Sequence, residues 1–352
     1  MLKTARAVVM DGLKLEVREY PVPDPAPGTI LLRQELCGVC GTDVHNWEHL
    51  QLSYQVAMGH EPVGIVEKLG AGVEADYFGR PLAVGDRVIA APGTPHGAYG
   101  FQKAEEQPYF RAGFCDYIYL AIPDTFVAKT DLPAEVAVLA EPFTIGVHGA
   151  MRAKMAFGDT VVIQGSGAIG LMTLACAKLS GAGRLIVVGG PTARLDLARK
   201  MGADVTIDIG QARSAEERTR LVKESTLKGL GADVVFECAG VLAAVPEGLG
   251  YLKSHGTFVE IGHFVDVGSL QFNINRWLMR KNVRLEAVYG SSQAHFAAGI
   301  PIFEKNEFPF AEMVSHVLPL DRVEDAFKSL QGSYKLDGRD VFKIALKGGV
   351  AS

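Results

Sequence analysis

Residues 159–182 read DTVVIQGSGAIGLMTLACAKLSGA. The apolar run Thr160 to Ile163 enters Gly165-Ser166-Gly167-Ala168-Ile169-Gly170, and an Ala- and Leu-rich segment continues at helical spacing to Leu179. This is the pattern of a strand, a glycine turn and a helix. Each glycine has a physical task in such a turn. Gly165 lets the strand reverse sharply, Gly167 lets backbone approach a pyrophosphate, and Gly170 lets the helix lie close to the sheet. The free N–H groups at the helix start then face the phosphates. Thr160 to Ala177 carries no charge and is about long enough to cross a bilayer, but Gln164 and three glycines in its middle argue for the turn instead.

The chain around this stretch keeps alternating. A strand is expected at Leu185 to Val188, a helix at Thr192 to Met201 and a strand at Val205 to Ile207. Further strands at Asp233 to Glu237, Thr257 to Ile261 and Arg284 to Val288 bring the number to six, which predicts a doubly wound parallel sheet of the Rossmann type. Cys238-Ala239-Gly240 and Ile261-Gly262-His263 fall at the carboxyl ends of strands, where such sheets bind ligands, so Cys238 and Ile261 are expected beside a nicotinamide. Cys238 itself reads as a buried thiol. A site selecting NAD usually carries an acid after the second strand. Gly189 stands there, followed by Gly190, Pro191, Thr192, Ala193 and Arg194. With no carboxylate to repel a 2′-phosphate, and Thr192 or Arg194 able to meet one, both NAD and NADP remain open and the balance leans to NADP. Arg194 has two other readings, a solvated residue of the first helical turn or a partner of Asp196.

With 352 residues the chain has room for two domains with sizeable cores. Its 48% hydrophobic and 21% charged residues are those of an ordinary globular protein, and a net charge of −5 leaves no electrostatic footprint for nucleic acid or an anionic membrane. No basic stretch followed by an apolar one opens the chain, so a cytoplasmic location is expected. The odd, scattered set Cys37, Cys40, Cys115, Cys176 and Cys238 suits metal binding or buried thiols better than a disulfide framework.

Before residue 150 the pattern changes to short β-runs. They lie at Ala5 to Tyr20, Thr29 to Glu35, Val63 to Lys68, Arg87 to Ala91 and Asp116 to Leu120, and the turn signals between them predict a small barrel-like or sandwich domain. Inside it stands Cys37-Gly-Val-Cys40-Gly-Thr42-Asp43-Val-His45, and twenty residues after Cys40 comes Gly59-His60-Glu61. Two cysteines three apart can form one edge of a structural zinc site, which needs two further ligands at similar spacing that the segment lacks. The other reading joins one cysteine to His60 and a distant carboxylate in an open site, with Glu141 of Ala140-Glu141-Pro142-Phe143 as the candidate third ligand.

The combination of Cys40-Gly-Thr42-Asp43-Val-His45, Gly59-His60-Glu61, Ala140-Glu141-Pro142 with Gly146-Val-His148, and Gly165-Ser-Gly167-Ala-Ile-Gly170 resembles the zinc-dependent alcohol and polyol dehydrogenases of the medium-chain dehydrogenase/reductase superfamily, over nearly the full length. The resemblance implies an α/β protein. Residues 1–152 begin a GroES-like β-rich catalytic domain, 153–292 form the NAD(P)-binding Rossmann domain, and 293–352 return to complete the first. It implies Cys40 rather than Cys37 as zinc ligand and His60 as the second. Glu61 or Glu141 completes the set, and the two arrangements are not separated. Thr42 passes a proton through the cofactor ribose to His45, whose ordinary pKa suits release to solvent, and Asp43 orients His60. Zinc acts as a Lewis acid on the substrate oxygen while hydride moves to or from the nicotinamide.

A lobe with four close cysteines often holds a second zinc in this family, but Pro92 to Cys115 contains only Cys115. One catalytic and no structural zinc is therefore expected, with the segment Tyr99 to Phe114 held by side-chain contacts or a neighbouring subunit. The substrate is expected to be a small alcohol, polyol or hydroxy-carbonyl compound. Trp47, Tyr54, Tyr109 and Phe110 are candidates to shape its pocket. Family habit implies a homodimer or homotetramer, and the apolar stretch Phe264 to Leu270 is compatible with one. Two alternatives compete: a zinc-free quinone or enone reductase of the same superfamily, and a non-catalytic dinucleotide-binding protein.

Overall fold

The six strands expected from residue 160 onward build one sheet in the computed structural model, which describes residues 4–49, 52–91, 93–94, 97–98, 100–121, 125–332 and 334–349. Helix α1 (Ala140–Ala153) precedes β1 (Thr160–Gln164), α2 (Ala168–Leu179), β2 (Arg184–Gly189), α3 (Thr192–Lys200) and β3 (Val205–Asp208). Helix α4 (Ala215–Glu224), β4 (Ala232–Glu237), α5 (Ala244–Tyr251), β5 (Leu252–Glu260) and β6 (Arg284–Ala287) follow. The strand order is β3-β2-β1-β4-β5-β6, and every neighbouring pair is parallel. Helices lie over a parallel sheet, so its central strands are apolar almost throughout. Val161, Val162 and Ile163 are fully buried, each stabilising the fold by about 1.5–3 kcal/mol. Strand β5 begins earlier than expected, directly after α5, and a register shift between Ala232 and Val234 absorbs the difference.

The chain divides into two compact units. One holds Pro142–Ser291 with Glu307–Pro309, and the other holds Met1–Glu141, Ser292–Asn306 and Phe310–Ser352. The first division falls at Glu141 rather than after residue 152, because α1 packs on α2 within the sheet unit. Cys176 Sγ reaches the Phe143 carbonyl at 3.7 Å, and the backbones come close at Gly146 and Met172.

The other unit is β-rich. Its main sheet runs Val127–Lys129, Arg87–Ala90, Glu61–Leu69, Thr29–Gly38, Lys343–Lys347, Val314–Pro319, and Tyr117–Ala121 also pairs with Thr29–Gly38. The tail therefore contributes two strands to this sheet, in the unit where the chain begins. Leu346 lies opposite Cys37 and Ala345 opposite Gly38 in antiparallel register. A second sheet orders Lys14–Pro21, Thr4–Asp11, Val56–Ala57 and Gln102–Lys103. The helix Gly41–His49 lies between the strands Thr29–Gly38 and Val56–Ala57, in a stretch where the sequence pattern shows no helix. No helix among the described residues is long and apolar enough to cross a membrane.

Candidate functional site

The central strand Thr29–Gly38 ends opposite Glu61, the first residue of its neighbour, so the turn after Gly38 and the residue before Glu61 meet at one sheet end. The chain passes from Gly38 through Cys40 into the helix Gly41–His49. Asp43, fully buried in that helix, accepts the Cys40 N–H at 2.8 Å through Oδ2, while its Oδ1 lies 3.4 Å from His60 Nδ1. One carboxylate thus orients two candidate ligands. Cys40, His60 and Glu61 each present a donor atom within 4.8 Å of the others. Thr42 Oγ1 sits 3.6 Å from Cys40 Sγ, and His45 packs its ring on His49 at 4.6 Å.

Burial and charge shape this cluster. Lys343 Nζ donates to Glu61 Oε1 at 2.6 Å, and both side chains are buried. Burial works to lower the His60 pKa, but Asp43 and Cys40 outweigh it and hold the imidazole well above its ordinary value. Burial pushes the Glu141 carboxyl up to about 7, with Glu61 and Asp43 adding to the rise and His60 and Lys343 opposing it. Cys37 is fully buried, its thiol pushed up by burial, with Sγ turned to the Gly38 carbonyl at 3.8 Å. It fills the core, whereas Cys40 stays partly open.

A thiol, an imidazole and a carboxylate suit zinc by both donor type and number. Cys40, His60 and Glu61 would hold the ion. Glu141, in the same charge environment, stands outside that three-atom cluster.

In the sheet unit the glycine turn is built for an anion. Helix α2 starts after Gly167 with no side chain capping its first N–H groups and no acid in its first turn, which leaves those donors for a phosphate. A Cβ at Gly170 would lie 1.9 Å from the Gly165 carbonyl oxygen, so the helix approaches the turn as closely as backbone allows. Ser166 Oγ donates to the Gly190 carbonyl at 3.1 Å and accepts the Gly190 N–H at 2.9 Å, tying the turn to the end of β2. Thr192 Oγ1 donates to Asp208 Oδ2 at 2.8 Å. Arg194 is only 8% exposed, which excludes the solvated reading, and Asp196 pairs with Arg199. Ile261 is buried, and the Cys238 thiol, pushed up by burial, lies 3.8 Å from Thr173 Oγ1.

Several pocket candidates have other work. Trp47 donates through Nε1 to the Leu13 carbonyl at 2.8 Å and packs on Phe327, Tyr109 stacks on Tyr20 at 4.8 Å, and Phe110 is buried beside the same ring. The contacts of Tyr109 and Phe110 with Tyr20 help hold the segment that lacks the cysteine lobe, while Tyr99 lies outside the described residues. Tyr54 is 42% exposed, with Lys103 over its ring.

Sequence inspection missed three features. Lys343 is one. Asp208 is another. The third is Glu237, Glu260 and His263, whose donor atoms also lie within 4.8 Å of one another. Glu237 and Glu260 end adjacent strands in register, and His263 Nδ1 is 3.0 Å from Glu260 and 3.5 Å from Glu237. Burial, then Glu260, pushes the Glu237 carboxyl up to about 8. The available signal was an acid closing each of two neighbouring apolar strands.

Two family models match the chain: the alcohol dehydrogenase GroES-like domain over residues 26–132 and the zinc-binding dehydrogenase over residues 168–305. The chain is 31% identical to 5-exo-hydroxycamphor dehydrogenase of Pseudomonas putida over 93% of its own length and 96% of that protein. It is 29% identical to sorbitol dehydrogenase of Gallus gallus, covering 90% of each. Among solved structures, an alcohol dehydrogenase from Thermotoga maritima superposes with a TM-score of 0.89 at 28% identity, over 98% of this chain and 99% of that one. These likenesses favour neither the zinc-free reductase nor the non-catalytic alternative. The β-rich unit is the GroES-like one, the parallel sheet is the Rossmann one, and the chain belongs to the zinc-type alcohol and polyol dehydrogenases of the medium-chain dehydrogenase/reductase superfamily, as an oxidoreductase that passes hydride between an alcohol and NAD(P).

Proposed function

We propose that this chain carries one catalytic zinc on Cys40, His60 and Glu61, with Glu141 as a proton-holding neighbour, and oxidises secondary alcohols or polyols, or reduces the matching ketones. The observation that carries this reading is the partly open Cys40 thiol with the buried His60 imidazole and Glu61 carboxylate, their donor atoms within 4.8 Å of one another. Zinc, when bound, polarises the substrate oxygen and eases hydride exchange with the nicotinamide. Cys40 as thiolate and Glu61 as carboxylate balance its charge. Asp43 keeps the His60 ring in place. Thr42, whose hydroxyl can donate and accept, takes the proton and His45 releases it to solvent.

The substrate class is supported by the relatives named for hydroxycamphor and sorbitol. The segment before Cys115 contains no further cysteine that could join a second, structural zinc. Five free cysteines suit a reducing, cytoplasmic setting. Strand β6, at the edge of its sheet with Leu285 exposed, suits the pairing of two copies into a homodimer or homotetramer.

The test is zinc content per chain, measured with NAD and NADP reduction across a panel of secondary alcohols and polyols. One zinc and turnover of a panel member are expected. Two zincs would refute the single-site reading, and one zinc with no turnover of any member would refute the substrate class.

A further inference from the structure

We propose that Asp208 takes over the task of the acid missing at position 189 and makes the ribose end of the nucleotide site select NAD over NADP. The inference rests on the nicotinamide cofactor reading and replaces the lean towards NADP drawn from Gly189 alone.

Position 189 cannot carry the acid. A Cβ there would lie 2.4 Å from Ser166 Oγ and 2.9 Å from the Ser166 backbone nitrogen, so the end of β2 has closed onto the glycine turn. A carboxylate nevertheless reaches the same place from the next strand. Asp208 closes β3 as Gly189 closes β2, and the two are partners in parallel register. A Cβ on Gly190 would be 3.6 Å from Asp208 Oδ1, which puts the carboxylate against the glycine pair. The group is also held still. Oδ1 accepts the Gly210 N–H at 2.8 Å, and Oδ2 accepts the Thr192 hydroxyl at 2.8 Å. Each oxygen keeps a lone pair for another donor, as two ribose hydroxyls require.

The same arrangement is hostile to a 2′-phosphate. Thr192 already spends its proton on Asp208, and a phosphate at the ribose would stand beside a fixed negative charge. Basic groups nearby have other partners. Arg199 pairs with Asp196 and Thr206, and Arg213 donates to the Gly210 carbonyl at 3.4 Å.

The experiment is fluorescence titration of the intact protein with NADH and with NADPH, which needs no substrate. The native chain should bind NADH at least about 30-fold more tightly than NADPH. Asp208→Asn, which retains an acceptor for Gly210, should narrow that ratio below about threefold, mainly by improving NADPH. Asp208→Ser provides a second variant should the first fold poorly, with thermal unfolding as the check on each. Equal or tighter NADPH binding by the native chain would overturn the proposal, as would a NADH preference that survives both substitutions. Failure of the folded native chain to bind either nucleotide would instead overturn the cofactor reading beneath it.

Discussion

Lys343 Nζ and Glu61 Oε1 stand 2.6 Å apart, 282 residues apart in sequence, and both side chains are removed from water. A buried ion pair is costly to break from one side, because the remaining charge has neither solvent nor partner. In metal-free protein Lys343→Met should therefore lower stability by about 3–5 kcal/mol. Adding Glu61→Gln should recover most of that loss. Zinc supplies positive charge at the same carboxylate, so it should raise the unfolding midpoint of Lys343→Met more than that of the native chain. Equal shifts would show that Glu61 does not meet the ion.

Thr42 lies close enough to Cys40 to share its site, yet offers a hydroxyl rather than a strong zinc donor. Thr42→Ala should keep full zinc content and lower turnover by about 10²-fold, with Thr42→Ser restoring much of it. Unchanged turnover in the alanine variant would remove Thr42 from the proton path.

Glu237 titrates in the fold near 8, against 4.5 for a free side chain, through burial and then the charge of Glu260. Between those values the folded chain holds a proton that the unfolded chain has shed. The contribution to stability is complete below about pH 4.5 and is lost as pH rises through about 8. Urea midpoints of the native protein should fall across this window, and Glu237→Gln, still able to accept from Ala239 and Gly240, should flatten the slope. An unaltered slope in the variant would place the titration elsewhere.

Gly170 and Gly167 separate packing from ligand contact. A methyl at 170 meets the Gly165 carbonyl oxygen, while one at 167 finds no protein atom within 4 Å. Gly170→Ala should lower both thermal stability and NADH affinity. Gly167→Ala should leave the unfolding midpoint near that of the native chain and weaken NADH binding at least about tenfold, since backbone there approaches the pyrophosphate. Full NADH affinity in Gly167→Ala would place the phosphates away from this turn.

Residues 159–182 declare their structure because their cues are local: an apolar run, glycines at set spacing and a helical repeat, all within a few turns of chain. The same locality made the six parallel strands and the separate β-rich region legible, and put a cysteine of the Cys37–Cys40 pair, His60 and Glu141 forward as candidate ligands. The choice of Cys40 and the roles of Thr42, Asp43 and Glu61 came from the family resemblance. The helix Gly41–His49 was not legible, since its mean pattern is polar and its stability comes from burying Asp43, Val44 and Trp47. Lys343 opposite Glu61, Asp208 beside Gly190, and Glu260 against Glu237 depend on strand order and register. No sequence window contains both members of such a pair together with the strands that align them. Sequence by itself determined the six parallel strands, the glycine turn and the donor types gathered around Cys40 and His60. Only the tertiary structure decided which buried charges face one another, because burial strengthens an electrostatic contact only after distant strands have brought its two ends together.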